Sequence, residues 1–147
     1  MGLNVELQIL VPKRGKLIQE IPLFCKIRPL QRPRSAKGRI IYQPVDNQKP
    51  LFFEIQNYRN INIKGAIIVD SYINFEKPPK NKHKYPVSLG WGDEDNLRKA
   101  INDALVKYNV IDDDKNVVGG NNFKAFGDRE DFNILRIYEV DGCELLA

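Results

Sequence analysis

Leu3, Val5, Leu7 and Ile9 alternate with Asn4, Glu6 and Gln8, the period of two that marks a half-buried strand. Pro12 and Gly15 are expected to punctuate it. Residues 18–27 read as a second, less regular strand, and Pro22 inside it suits an edge or a strand start, because proline donates nothing to a ladder. Residues 64–75 contain Ala66-Ile67-Ile68-Val69 and then Tyr72, Ile73 and Phe75, β-branched and aromatic with no breaker, and are predicted as the most central strand. The period then changes. Leu97, Ala100, Ile101, Ala104, Leu105 and Tyr108 fall at i, i+3, i+4, i+7, i+8 and i+11, the stripe of an amphipathic helix. Asp93, Glu94 and Asp95 crowd its start, where carboxylates cap free N–H groups and favour the dipole, and Asn109 is expected to end it. Residues 117–126 and 132–140 read as two strands joined by a polar turn, with Gly119-Gly120 as a bulge or kink. Leu51-Phe52-Phe53-Glu54-Ile55 suits either a short helix or a strand. Strands on both sides of one dominant helix predict an α+β fold, a single small domain with a mixed sheet.

The 147 residues, 42% of them hydrophobic, are enough for one core and too few for two. Cys25 and Cys143 lie far apart without CxxC spacing, which argues against a structural zinc site or a redox pair and favours a reducing, cytoplasmic compartment. No segment approaches the ~20 apolar residues of a membrane span, and the first ten residues lack the pattern of a secretory signal.

The net charge of +4 hides a segregation. Residues 1–92 carry 16 Lys and Arg against 6 Asp and Glu, and residues 93–147 carry 7 against 13. A basic body attracts a polyanion, and an acidic pocket on it accepts phosphate only once a divalent cation is bound. Nucleic-acid binding joined to metal chemistry fits this split; mutual neutralisation on an ordinary surface is the plainer alternative. The basic residues concentrate between 26 and 39, an exposed arm or hairpin, and between 76 and 86, a proline-held loop.

Asp93 and Asp95 sit where the chain enters the helix, and Asp112-Asp113-Asp114 follow its end. Asp95, Lys99 and Asp103 share the face opposite the leucine stripe at i, i+4 spacing. If the two acidic groups converge, hard oxygen ligands of this kind suit Mg²⁺, which activates water for phosphodiester hydrolysis while a lysine stabilises developing charge. Each feature alone is more ordinarily a helix cap, a solvated turn or a surface salt-bridge ladder; the combination carries the argument. His83 is the only histidine, which argues against histidine metal clusters and a Ser-His-Asp triad. Leu97 and Arg98 break the spacing of a calcium loop, and Gly119-Gly120 lacks the Lys-Ser/Thr of a phosphate loop.

Asp93-x-Asp95-Asn96-Leu97-x-Lys99-x-x-x-Asp103-Ala104-Leu105, followed by Asp113-Asp114-x-Asn116-Val117, resembles the signature of the RusA family of Holliday junction resolvases. The spacing from Asp95 to Asp114 agrees without a gap, and Arg32-Pro33-Arg34 with Gly38 and Tyr42 is similar to a basic segment near the start of many members. The specific match covers residues 93–124. Asn116 stands where the family usually has glutamine, and Pro44 and Pro50 shorten a segment that is commonly helical. The resemblance implies a RusA-like fold and a magnesium-dependent endodeoxyribonuclease, with Mn²⁺ as a substitute metal, that cuts branched DNA such as four-way junctions as a homodimer. It implies that Asp93, Asp95 and Asp114 bind the metal, with Asp113 in reserve, and that Lys99 assists cleavage. Arg32, Arg34, Lys37, Arg39, Lys80, Lys82, Lys84 and Arg98 are the expected DNA contacts, positioning the backbone without reading sequence. The alternatives are a general metal-dependent nuclease, a non-catalytic nucleic-acid-binding module that keeps the fold, and a purely structural acidic helix, which predicts no affinity for DNA.

Overall fold

The computed structural model describes residues 7–29, 34–36, 39–41, 45–77, 79, 84–87 and 94–146. Its centre is strand β4 (Ile67–Phe75), the run whose lack of breakers marks it in the sequence. Seven of its nine residues are buried, because it has neighbours on both sides in the sheet. Strand β7 (Asn133–Leu145) pairs with it antiparallel on one side, and strands β5 (Val117–Gly119) and β6 (Asn122–Phe126) pair with it parallel on the other. Strand β1 (Leu10–Leu23) adds to the far edge of β7, giving the order β1-β7-β4-β5 with β6 continuing beside β4. The sheet is therefore mixed and the architecture α+β.

Strand β1 differs from the sequence expectation. Pro12 and Gly15 do not interrupt it, and residues 18–23 belong to the same strand rather than a second one. A free edge asks nothing of the missing proline N–H, and register shifts on either side of Arg14 absorb the irregularity. The half-buried strand expected at the N-terminus is absent where it is described: Leu7 and Ile9 lie outside the strand and are exposed. Pro22 does sit on the edge strand, as expected.

Helix α2 (Glu94–Lys107) makes the crossover between the parallel strands β4 and β5, the connection such pairs require. The predicted stripe is the buried one: Leu97, Ala100, Ile101, Ala104 and Leu105 are at most 2% exposed. They meet Ile67, Val69, Ile73 and Phe75 of β4, Leu135 and Ile137 of β7, and Ile21 and Leu23 of β1 in one core. Asn109 ends the helix in the left-handed conformation (φ 54°), which asparagine tolerates. The ambiguous segment resolves as a short helix, α1 (Lys49–Ile55), with Pro50 in its first turn and Leu51 and Ile55 buried. The basic arm is an antiparallel hairpin of β2 (Arg34–Ala36) and β3 (Arg39–Ile41). Among the described residues no helix is long and apolar enough to cross a membrane.

Gly120 supplies the kink between β5 and β6. Its φ of +142° suits glycine, and a Cβ there would lie 1.8 Å from the Val69 carbonyl oxygen. The backbone thus passes directly against β4 at this point, and the chain resumes as β6 in register with it.

Candidate functional site

The exposed face of α2 carries Asp95, Lys99 and Asp103, because the opposite stripe is committed to the core. Successive members rise about 6 Å along the axis. Lys99 Nζ lies 3.9 Å from Asp103 Oδ2 with both side chains about half exposed, a loose solvent-facing pair rather than a fixed one. Asp95 is exposed in the first turn. The helix thus presents carboxylate, ammonium and carboxylate to solvent in one row.

The acidic run after the helix is sorted by its hydrogen bonds. Asp112 is tied by its backbone, the N–H donating to the Ile63 carbonyl at 3.1 Å where the chain leaving α2 runs beside the chain entering β4. Asp113 turns its carboxylate onto its own backbone, accepting from the Lys115 N–H at 3.0 Å and so capping the single 3₁₀ turn Asp114–Asn116. That N–H above all, with the Asp114 side chain and the Lys115 ammonium at 3.8 Å helping, holds the Asp113 carboxyl below the usual carboxylate range. Asp114, one residue further, is exposed. Capping therefore distinguishes two aspartates that the sequence leaves equivalent.

The turn Asp114–Asn116 lies against α2. Val117, just beyond it, shares a cavity of about 10 Å³ with Val69, Ser71, Arg98, Ile101, Asn102 and Asn122, a space too small for a substrate. The strand after the aspartates does run back along the helix, as convergence requires, and Asp114 stands at its start, beside the body of α2. Among the described residues no three metal-type ligands are gathered into one group. Asp93, the third expected ligand, lies outside the described residues, as do Arg32, Lys37, Lys80 and Lys82. Arg34 and Arg39 are described by their backbone alone, facing each other's strands in the hairpin. Lys84 is exposed beside Tyr85, its ammonium 5.8 Å from the ring centre. Arg98, an expected DNA contact, gives a guanidinium N–H to the Gly120 carbonyl at 2.9 Å, fastening α2 to the kink.

A second polar feature was not anticipated. An open hollow of about 360 Å³ at the C-terminal end of α2 is lined by Asn60, Asn62, Asn109 and Asp112. All three asparagines have positive φ, at 65°, 55° and 54°. Their clustering was invisible because residues 60–63 and 108–111 meet only through tertiary hydrogen bonds.

Sequence reasoning also passed over Asp70. It is 3% exposed within β4, and Arg14 reaches it from β1, with Nε 2.9 Å from Oδ2 and Nη2 2.8 Å from Oδ1. The Asn121 N–H adds a third bond at 2.8 Å. Burial pushes the Asp70 carboxyl pKa up, but the Arg14 bonds, the Asn121 N–H and the charges of Arg14 and Arg136 together hold it below the ordinary value. The available signal was a charged residue inside the most apolar run of the chain, which demands a partner. Its pairing is a structural clamp behind the sheet, away from α2.

In comparison with known proteins, no family model and no curated protein matches this chain.

Proposed function

We propose that this protein is a magnesium-dependent endonuclease of the RusA type that nicks branched DNA, four-way junctions above all. The observation that carries the reading is the exposed row Asp95-Lys99-Asp103 on α2, with Asp114 exposed in a turn held against the same helix. The donors are all hard carboxylate oxygens, the chemistry Mg²⁺ selects. Asp93, Asp95 and Asp114 would hold the ion, which when bound activates water and offsets charge on the phosphoryl oxygens. Asp113 serves that arrangement by fixing the turn on which Asp114 stands. Among the described residues Lys99 has only a loose partner in Asp103, which leaves its ammonium available to a phosphoryl oxygen.

The charge distribution supports a nucleic-acid substrate, since 16 of the 23 basic residues precede position 93 and concentrate in the β2–β3 hairpin region and the loop around Lys84. A two-fold symmetric junction needs two opposed nicks, which a homodimer with one site per chain supplies.

The test incubates the purified protein with a labelled four-way junction and a matched linear duplex, with Mg²⁺ or EDTA, beside Asp95→Asn. Paired nicks on the junction alone, lost with EDTA and in the variant, support the resolvase reading. Equal cutting of the duplex points to a general nuclease, and binding without cutting to a non-catalytic module.

A further inference from the structure

Both helices pack on one face of the sheet, where Leu51 and Ile55 of α1 join the α2 stripe in a single core. On the opposite face the register sets Phe123, Tyr72, Ile134 and Pro22 in one row across β6, β4, β7 and β1. Asp70, Arg136 and Glu20 form the row beside it. None of the first row belongs to the core, and Phe123 is 50% exposed. The rings in it are already arranged as a stack. Phe123 and Tyr72 lie nearly parallel, 17° apart with centroids at 5.6 Å, and the Arg136 guanidinium lies 5.4 Å from the Tyr72 ring centre. Strand β4 runs between β6 and β7, so these two neighbours approach Tyr72 from opposite sides. The series guanidinium, phenol, phenyl therefore ends at Phe123, on a strand with no further strand beyond it among the described residues. The exposed phenyl offers room for one more planar π system.

We propose that this face binds single-stranded nucleic acid, with an unpaired base stacked on Phe123. A base suits the end of the stack because every nucleobase has a flat π face, and such stacking tolerates any sequence. The charged row selects a polyanion over another protein. Asp70 is answered by Arg14, and Glu20 by Arg136, whose Nε donates to Oε2 at 2.8 Å, so neither carboxylate stands unpaired against a phosphate. Arg136 uses one of its five N–H donors there and remains 39% exposed, one row from the ring that holds the base. Exposed Lys13 and Lys16 add positive charge along β1. An apolar protein surface laid over the same area would have to desolvate both ion pairs, whereas a single strand leaves them wet. Duplex geometry does not suit the site, since paired bases are stacked inside the helix and cannot reach the phenyl. A second ring pair, Phe24 and Phe132, stands at the ends of β1 and β7 with centroids 5.4 Å apart and Phe24 58% exposed. Two strand spacings, about 10 Å, separate it from the first pair across the sheet, which makes it a further platform for the same strand. The inference concerns the face opposite α2 and does not rest on the nuclease reading.

Fluorescence anisotropy of labelled oligothymidylate and oligouridylate, titrated with the full chain in EDTA, tests it. Wild type is expected to bind at low salt, and the tighter of the two probes identifies the sugar that the face accepts. Phe123→Leu keeps an apolar side chain but removes the π face; it is expected to bind about tenfold more weakly with its unfolding midpoint retained. Phe123→Trp is expected to bind at least as well as wild type, and its added indole fluorescence to be quenched by the oligonucleotide. That quenching decides the matter should Phe123→Leu fail to fold. No binding by wild type, equal affinity in Phe123→Leu, or an indole left unquenched overturns the proposal. A change in the association state of Phe123→Leu at unchanged affinity overturns it in favour of a protein contact. No cleavage is measured, so a failed nuclease assay leaves this outcome unaffected.

Discussion

Arg14 and Asp70 form a two-pronged ion pair that spans an entire intervening strand, since β1 and β4 do not hydrogen-bond to each other and β7 lies between them. The pair ties three strands together on the side of the sheet away from α2. Its carboxylate is buried while the guanidinium side chain is 39% exposed. Removing the arginine leaves a buried charge whose remaining support is the Asn121 N–H and the neighbouring Arg136. Arg14→Met is expected to cost about 2–3 kcal/mol, between the values for exposed and fully buried pairs, as read by urea unfolding at neutral pH.

The same pair sets a pH response. The folded Asp70 pKa lies below its unfolded value, so the stabilisation is complete above the ordinary carboxylate pKa of about 4 and is lost as pH falls through the folded value. Unfolding measured between pH 6 and 3 is expected to show a steeper acid loss for wild type than for Asp70→Asn. Equal slopes would remove this pair from the account.

Gly120 offers a sharper steric test. An alanine there would bring Cβ to 1.8 Å from a backbone oxygen that has no room to retreat, and would do so at a positive φ. Gly120→Ala is expected to lose about 4 kcal/mol, strain and overpacking combined, or to fail to fold. Gly65→Ala is the control, because Gly65 has φ +81° with nothing within 4 Å, and its loss should be about 1 kcal/mol. Comparable midpoints for the two variants would contradict the close approach of the kink to β4.

Much of the fold was legible in the chain, and what was not has a common cause. The helix stripe from Leu97 to Leu105 and the run from Ile67 to Phe75 declare themselves because their burial follows from local periodicity. The Gly119-Gly120 kink was equally readable, since two glycines in a strand pattern announce a special backbone. Strand β1 was misread at Pro12 and Gly15 because breakers lose their force at a free edge, and edge position is a property of the assembled sheet. The candidate site was legible as residue types but not as geometry. Asp113 and Asp114 are neighbours with the same chemistry, and only the 3₁₀ turn reveals that one faces its own backbone and the other faces water.

The two cysteines should separate cleanly by reactivity. Cys25 is 8% exposed, and burial first of all, with the nearby Glu54 charge, pushes its thiol up to about 11. Cys143 is exposed on β7. A thiol reagent at pH 8 is expected to titrate one equivalent in the native protein and two in denaturant. Two rapid native equivalents would mean that the core around Cys25 opens readily.

The acidic turn allows the proposed chemistry to be separated from simple stability. A cap contributes folding energy, so Asp113→Ala is expected to lower stability by about 1 kcal/mol, while Asp113→Asn, which still accepts the Lys115 N–H, should lose much less. Asp114 is exposed, and Asp114→Asn is expected to leave the unfolding midpoint within about 0.5 kcal/mol of wild type. On junction cleavage the order should invert: Asp114→Asn and Asp95→Asn each lose about a hundredfold or more, Lys99→Met loses a similar factor through lost charge stabilisation, and Asp113→Asn retains most of the rate. Raising the Mg²⁺ concentration should partly rescue a weakened ligand set but not Lys99→Met, since the lysine acts on the phosphoryl group and not on the metal. Loss of cleavage in Asp113→Asn with full activity in Asp114→Asn would exchange the two roles, making the capping aspartate the ligand and requiring the turn to rearrange when the metal binds.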